Sequence, residues 1–257
     1  MPTTEIDRYV TYFRRVLEAI EKLQANADPP VEPFFQKILY CCCLDSWSGD
    51  AFPGMRNKER FIKFINDVSE WDLRDRVSAF QLQLALEEEG LRNSPLWDHI
   101  TAHLWRSGKV TSTSADCDPT FAELIKHART DNECGILREN RYDHLLYHYR
   151  NSVIHEFLIP GKGFEFKQEE KPYYINLASK TDSDDENSVA DETCSKELVF
   201  PNLFLHSFCE RSLEAFERWL SVNARNPYDS MPLTSRWKFR RQTSPVEAFS
   251  TPARHLI

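Results

Sequence analysis

Apolar residues recur about every 3.6 positions over most of this chain, a pattern that predicts a mainly helical protein. Tyr9, Tyr12, Phe13, Val16, Leu17, Ile20 and Leu23 line one face of a helix over 3–25, which Asp28-Pro29-Pro30 ends. A second helix is predicted over 33–47 on Phe34, Phe35, Ile38, Leu39 and Leu44, closing near Ser48-Gly49-Asp50. Asn57 is placed to cap a third that reaches Val68, and a fourth runs over 77–89 until Gly90 stops it. Shorter helices are predicted over 96–106 and 119–129, on either side of the Thr/Ser-rich stretch 111–116. A longer helix over 134–157 follows and ends before Pro160-Gly161.

The period then changes. Phe164-Glu165-Phe166-Lys167 and Tyr173-Tyr174-Ile175-Asn176-Leu177 alternate as the two strands of an antiparallel hairpin would, with Leu198-Val199-Phe200 as a third short strand. Polar residues 178–196 between them predict a loop. A last amphipathic helix is expected over 202–223, carrying Leu203, Phe204, Phe208, Leu213, Phe216, Trp219 and Leu220. Residues 226–257 have no apolar period and predict an extended arm after one helical domain over 1–225. The fold class is therefore all-α in the main, with a small hairpin and an acidic loop inserted over 161–200 before the last helix.

Composition changes this picture little. Seven Gly in 257 residues is low for a turn-rich β architecture. Seven Cys, an odd number with Cys41-Cys42-Cys43 consecutive and no repeated C-x-x-C, predict reduced packing thiols in a cytoplasmic protein. No apolar run is long enough to span a membrane, and the N-terminal residues lack the apolar core of a secretion signal. A net charge of −8 argues against broad coating of nucleic acid, although much of the acid is concentrated in 182–192. The tail has the opposite bias, with Lys238, Arg240 and Arg241 beside Trp237 and Phe239, a mixture suited to weak RNA contact.

Candidate chemistry concentrates on the helix over 134–157. At 100° per residue, Tyr142, Leu145, Leu146, Tyr149, Val153 and Phe157 share an apolar arc. His144, His148, Asn151 and His155 fall within about 60° of one another on the opposite side, with Arg141 at the margin. Solvated helix faces usually carry Lys and Glu, so a face of three His and an Asn suits a ligand or a partner better. Arg150 lies at the edge of the apolar arc and must curl round to reach His155. Other Arg/His pairings are poorer: Arg92 and His99 straddle a helix start at Ser94-Pro95, and Arg138/His144 lacks a polar residue directly after the Arg.

The run Tyr149-Arg150-Asn151-Ser152-Val153-Ile154-His155-Glu156 resembles the Arg–polar–x3–His signature of the HEPN superfamily, the higher eukaryotes and prokaryotes nucleotide-binding domains. The resemblance implies a helical bundle over roughly 30–225 with the motif on a late helix. It also implies a metal-independent endoribonuclease, acting on RNA as a homodimer whose two motifs form one cleft and leaving 2′,3′-cyclic phosphate ends. Arg150 would then bind the scissile phosphate. His155 would serve as base to the ribose 2′-OH or acid to the leaving 5′-oxygen, and Asn151 would position both. A role as toxin or effector in antiviral defence, with an antitoxin or NTPase as regulatory partner, is the setting such proteins commonly have. No cofactor and no metal are expected.

Supporting roles are expected for four further residues. Asp45 ends an apolar run where an unpaired carboxylate would be costly, so it suits a pairing with Arg150. His144 and His148 share the polar face, and Tyr147 suits a core, dimer or base-stacking contact. Their i,i+4 spacing also lets His144 and His148 bind a metal with His155 or an acid, although no Glu stands between them as in H-E-x-x-H. A competing reading is a non-catalytic module that uses the same face only to dimerise or to dock a partner.

Overall fold

The computed structural model describes residues 4–23, 32–106, 117–158, 169–179 and 193–229. Among them are nine α-helices and one two-stranded antiparallel sheet that precedes the last helix. In chain order they are α1 (Glu5–Glu21), α2 (Glu32–Ala51), α3 (Asn57–Asp67), α4 (Ala79–Glu88), α5 (Pro95–Arg106), α6 (Phe121–Leu124), α7 (Asp131–Glu139), α8 (Tyr142–Asn151), β1 (Tyr173–Ser179), β2 (Thr193–Val199) and α9 (Asn202–Val222). A single π-helical turn, Ser152–Glu156, extends α8. The protein is mainly helical, with a small hairpin before its last helix.

Reciprocal side-chain caps set three of the helix starts. Thr4 with Asp7, Thr120 with Glu123 and Thr130 with Glu133 each exchange bonds with the first-turn backbone, satisfying donors that a helix leaves open. The Thr130 box starts α7 at Asp131, ahead of the position the apolar period suggests. Asn57 does not cap α3; Arg56 holds that position and makes no side-chain cap bond.

Two apolar clusters are buried. The larger joins α1, α2, α3, α8 and α9 and is rich in aromatics, with Trp71 packed on Phe204 and Phe208 at 5.4 and 5.2 Å. The smaller, with Leu82, Leu86, Leu96, Ile100, Leu124 and Leu137, lies among α4 to α7. Between them the chain over 76–78 runs extended and is bonded on both sides. Val77 N donates to Pro119 O at 2.9 Å, Ser78 N to Asn140 O at 3.0 Å, and Arg76 O accepts from Tyr142 N at 2.8 Å.

That last pair of contacts breaks the helix expected over 134–157. Arg141 adopts an extended backbone and bridges Val77, so α7 ends at Glu139 and α8 begins anew at Tyr142. The hairpin also differs from expectation. Tyr173–Ser179 pairs with Thr193–Val199, Tyr173 opposite Val199 and Ser179 opposite Thr193, so both ends of the polar stretch expected as loop are strand. The strand expected over 164–167 and the acidic residues 182–192 lie outside the described residues.

A buried carboxylate fastens the hairpin to the helices. Asp118 accepts from Tyr142 Oη at 2.6 Å, from Tyr174 Oη, and from Ala79 N at 3.3 Å. Tyr174 Oη also accepts from Ser78 Oγ at 2.9 Å, and its ring is set against Phe80. Burial pushes the Asp118 carboxyl up to about 6, against the lowering effect of its hydroxyl donors. At the far end, residues 226–229 are not a free arm: Tyr228 packs edge-on against Tyr9, and Asn226 donates to Glu5.

Candidate active site

Arg150 occupies the last turn of α8, followed by the π turn and by Phe157, whose left-handed backbone (φ 54°) ends the helix. Residues in a π turn bond i→i+5, so the backbone there is wider than α. Ser152 O accepts from Phe157 N and, at 3.2 Å, from Leu158 N. The widening turns position 155 back over position 150. Where an unbroken α-helix would leave Arg150 and His155 on separate stripes, here Arg150 Nη1 lies 3.1 Å from His155 Nε2. The same Nη1 donates to Asn151 Oδ1 at 2.7 Å.

A third element completes the constellation. Asp45, on α2, places Oδ2 at 2.8 Å from Arg150 Nη2 and 3.5 Å from Arg60 Nη2 on α3. The helix expected to close near Gly49 continues to Ala51, which keeps Asp45 inside regular helix. The Arg150 side chain is only 6% exposed, so its guanidinium forms the floor of the constellation, while His155 stands at the surface. Asp45 Oδ1 and the Nε atoms of Arg60 and Arg150 are buried without a hydrogen-bond partner among the described residues. They are spare polar capacity beside a surface imidazole.

A guanidinium has no acceptor, so in the Arg150–His155 contact Nε2 must be the acceptor and the imidazole proton sits on Nδ1. Exposed apolar side chains lie next to this group. Phe157 is 65% exposed and Leu158 61%, and Phe157 meets Phe34 at a ring separation of 6.3 Å, beside the exposed Phe35 and Leu39 of α2.

Other expected residues are placed elsewhere. His144 is buried rather than on a polar face, with Nδ1 at 3.4 Å from Glu139, and burial lowers its affinity for a proton. His148 Nε2 contacts the same Glu139 at 3.0 Å. Partial burial opposes ionisation of Glu139, but bonds from Lys58 (2.6 Å) and His148 hold its carboxyl down to about 2. The four polar-face residues therefore split: His144 and His148 join Glu139 and Lys58, while Asn151 and His155 join Arg150. Among the described residues no group of His, Cys, Asp and Glu is arranged to hold a metal ion.

Tyr147 packs on Phe61 at 5.6 Å. Arg141 is engaged internally, bonded to Asp143 at 2.8 Å and Asn66 at 3.0 Å with its guanidinium over Phe121, and does not present itself to RNA. Lys238, Arg240 and Arg241 lie outside the described residues. Cys41 and Cys43 are buried and Cys42 is exposed; burial pushes the thiols of Cys41 and Cys43 up to about 12, so they pack as neutral groups.

Arg60, Glu139 and Asp118 were not legible as site or framework residues. Arg60 directly precedes the core residue Phe61 on α3, and a charge beside an apolar stripe was the one signal available. Glu139 reaches its two His only across the helix break at Asn140–Arg141. Two cavities, of about 340 Å³ beside Trp71 and Arg211 and about 160 Å³ between α1 and α9, lie away from the Arg150–His155 group. Comparison with family models, with characterised proteins and with solved structures finds no match for this chain.

Proposed function

We propose that this chain is a metal-independent endoribonuclease, with His155 moving the proton and Arg150 supplying the positive charge behind it. The observation that carries this reading is the 3.1 Å contact between Arg150 Nη1 and His155 Nε2, held beneath a surface-exposed imidazole. In the free protein the guanidinium occupies the Nε2 lone pair. A phosphodiester beside it competes for the guanidinium as a charged acceptor, which releases Nε2 to take the proton of the ribose 2′-OH. The 2′-oxygen then attacks phosphorus, the bond to the 5′-oxygen breaks, and a 2′,3′-cyclic phosphate remains. A proton returned to the 5′-oxygen completes the step. Asp45 and Asn151 hold Arg150 from two sides, so its charge is fixed in place before substrate arrives.

Two copies of α8 side by side would place two such groups on one RNA. The apolar surface at Phe35, Leu39, Phe157 and Leu158, adjoining His155, supports a homodimer with the cleft between subunits. A toxin or defence effector, controlled by a regulatory protein, is the setting that goes with this activity.

Incubation of single-stranded RNA with wild type, Arg150→Ala and His155→Ala, each checked for native circular dichroism, tests the proposal. Cleavage by wild type with at least about 100-fold loss in His155→Ala is expected. Equal cleavage by all three proteins rules it out.

One observation favours a second reading. Arg150 is buried and both its terminal nitrogens are engaged within its own subunit, as in a structural pillar. On that reading the same face only dimerises or docks a partner. A wild-type protein that associates through the Phe157 face yet leaves RNA intact at high enzyme concentration would decide for the module.

A further inference from the structure

Two guanidiniums converge on the single carboxylate of Asp45, and they are not equivalent. Arg150 comes from α8 at 2.8 Å and Arg60 from α3 at 3.5 Å, both on Oδ2. Among the described residues, Asp45 is the carboxylate at ion-pair distance from each of them. One negative charge between two positive ones leaves the trio with a formal surplus of +1.

That surplus resides mainly on Arg60. Arg150 has shared its donors among Asp45, Asn151 and His155, and its side chain is 6% exposed. Arg60 is 23% exposed, and among the described residues its side chain makes only the longer of the two ion pairs; its Nε, like that of Arg150, is buried without a partner. Its guanidinium lies across the bare backbone of Gly49, 3.6 Å from where a Cβ would stand, so no side chain of that residue holds it in place. Of the two, Arg60 has the less committed terminal nitrogens and the greater access to solvent, as an incoming anion requires.

We propose that Arg60 grips a non-bridging phosphate oxygen of the RNA, while the same phosphodiester draws Arg150 off His155 Nε2. The inference rests on the nuclease reading and deepens it: the site takes a phosphodiester between two guanidiniums from different helices. A phosphodiester carries one negative charge and the pentacoordinate intermediate carries more, so a second cation contributes most as the reaction proceeds. The planar fork of Arg suits two oxygens of one phosphate, which a point charge does not.

The test uses the full chain with His155→Ala, so that RNA stays intact, and a single-stranded oligouridylate as probe. Binding is measured from low to moderate salt with and without Arg60→Gln, and with Arg60→Lys as the charge-conserving control. Loss of one phosphate contact is expected to weaken binding about tenfold and to reduce the slope of log K against log salt by about 0.7. Arg60→Lys is expected to keep the slope while binding more weakly than Arg60. An unchanged slope in Arg60→Gln, or no binding of the probe by the His155→Ala protein, overturns the proposal. The two ideas separate cleanly: an Arg60-dependent slope in a protein whose wild type never cleaves RNA keeps the phosphate site and removes the nuclease.

Discussion

At the scale of single residues, the contact between Arg150 and His155 decides which imidazole nitrogen is occupied before substrate binds. Because the guanidinium can only donate, Nε2 accepts and Nδ1 carries the proton. Arg150→Lys keeps the charge but cannot reach Asp45, Asn151 and His155 together, so a loss of at least about tenfold in kcat with a smaller change in KM is expected. Steady-state cleavage of a short RNA checks it, and an unchanged kcat would show that the fork geometry is irrelevant. Asp45→Asn removes the charge that two guanidiniums share, and a stability loss of about 1–3 kcal/mol by urea denaturation is expected. Much of this was legible in the chain: Arg150, Asn151 and His155 stood out by residue type and by their context in one amphipathic helix, since other Arg/His pairs share the spacing, and Asp45 by its place at the end of an apolar run. His144 misled, because the period that put it on a polar face assumed one unbroken helix, and its burial beside Glu139 depends on the break at Arg141.

At the scale of elements, long-range backbone bonds and one wide turn account for what periodicity did not predict. The helix over 134–157 is divided because Arg76, Val77 and Ser78 offer Asn140–Tyr142 sheet-like partners, and nothing local in the sequence signals that competition. The π turn at Ser152–Glu156 is equally silent in the pattern, yet it carries His155 round to Arg150. The hairpin was placed correctly before α9, but the partner of Tyr173–Ser179 is Thr193–Val199, which reaches back from the strand expected at 198–200 into residues expected as loop. Gly49 shows a signal read too strongly, since α2 passes through it to Ala51. A Cβ there meets Arg60 only at ordinary contact distance. Gly49→Ala is therefore expected to raise stability by up to about 1 kcal/mol through helix propensity alone, measured as an increase in Tm. A fall in Tm would mean that the space under the Arg60 guanidinium is needed.

At the scale of the whole molecule, Asp118 ties the larger cluster, the smaller cluster and the hairpin together through Tyr142, Ala79 and Tyr174. Its carboxyl is raised from 3.8 when unfolded to about 6 when folded, so the folded state binds its proton more tightly. The stabilisation is fully present below pH 3.8 and is lost as pH rises through about 6. Relative to Asp118→Asn, which does not titrate, wild type is expected to gain on the order of 3 kcal/mol between pH 7.5 and pH 3.5. A flat difference across that range would place the titration elsewhere. Glu139 acts in the opposite sense, its contribution falling away as acid approaches its depressed value of about 2. This framework holds α2, α3 and α8 so that Asp45, Arg60, Arg150 and His155 meet, and the central claim is that their meeting cleaves RNA without a metal. The most direct measurement is cleavage, in excess EDTA, of an all-ribose oligonucleotide against the same strand with 2′-deoxy sugars. The account predicts that the full chain cuts only the ribose strand and leaves 2′,3′-cyclic phosphate ends; an intact ribose strand, or cutting of both strands alike, contradicts it.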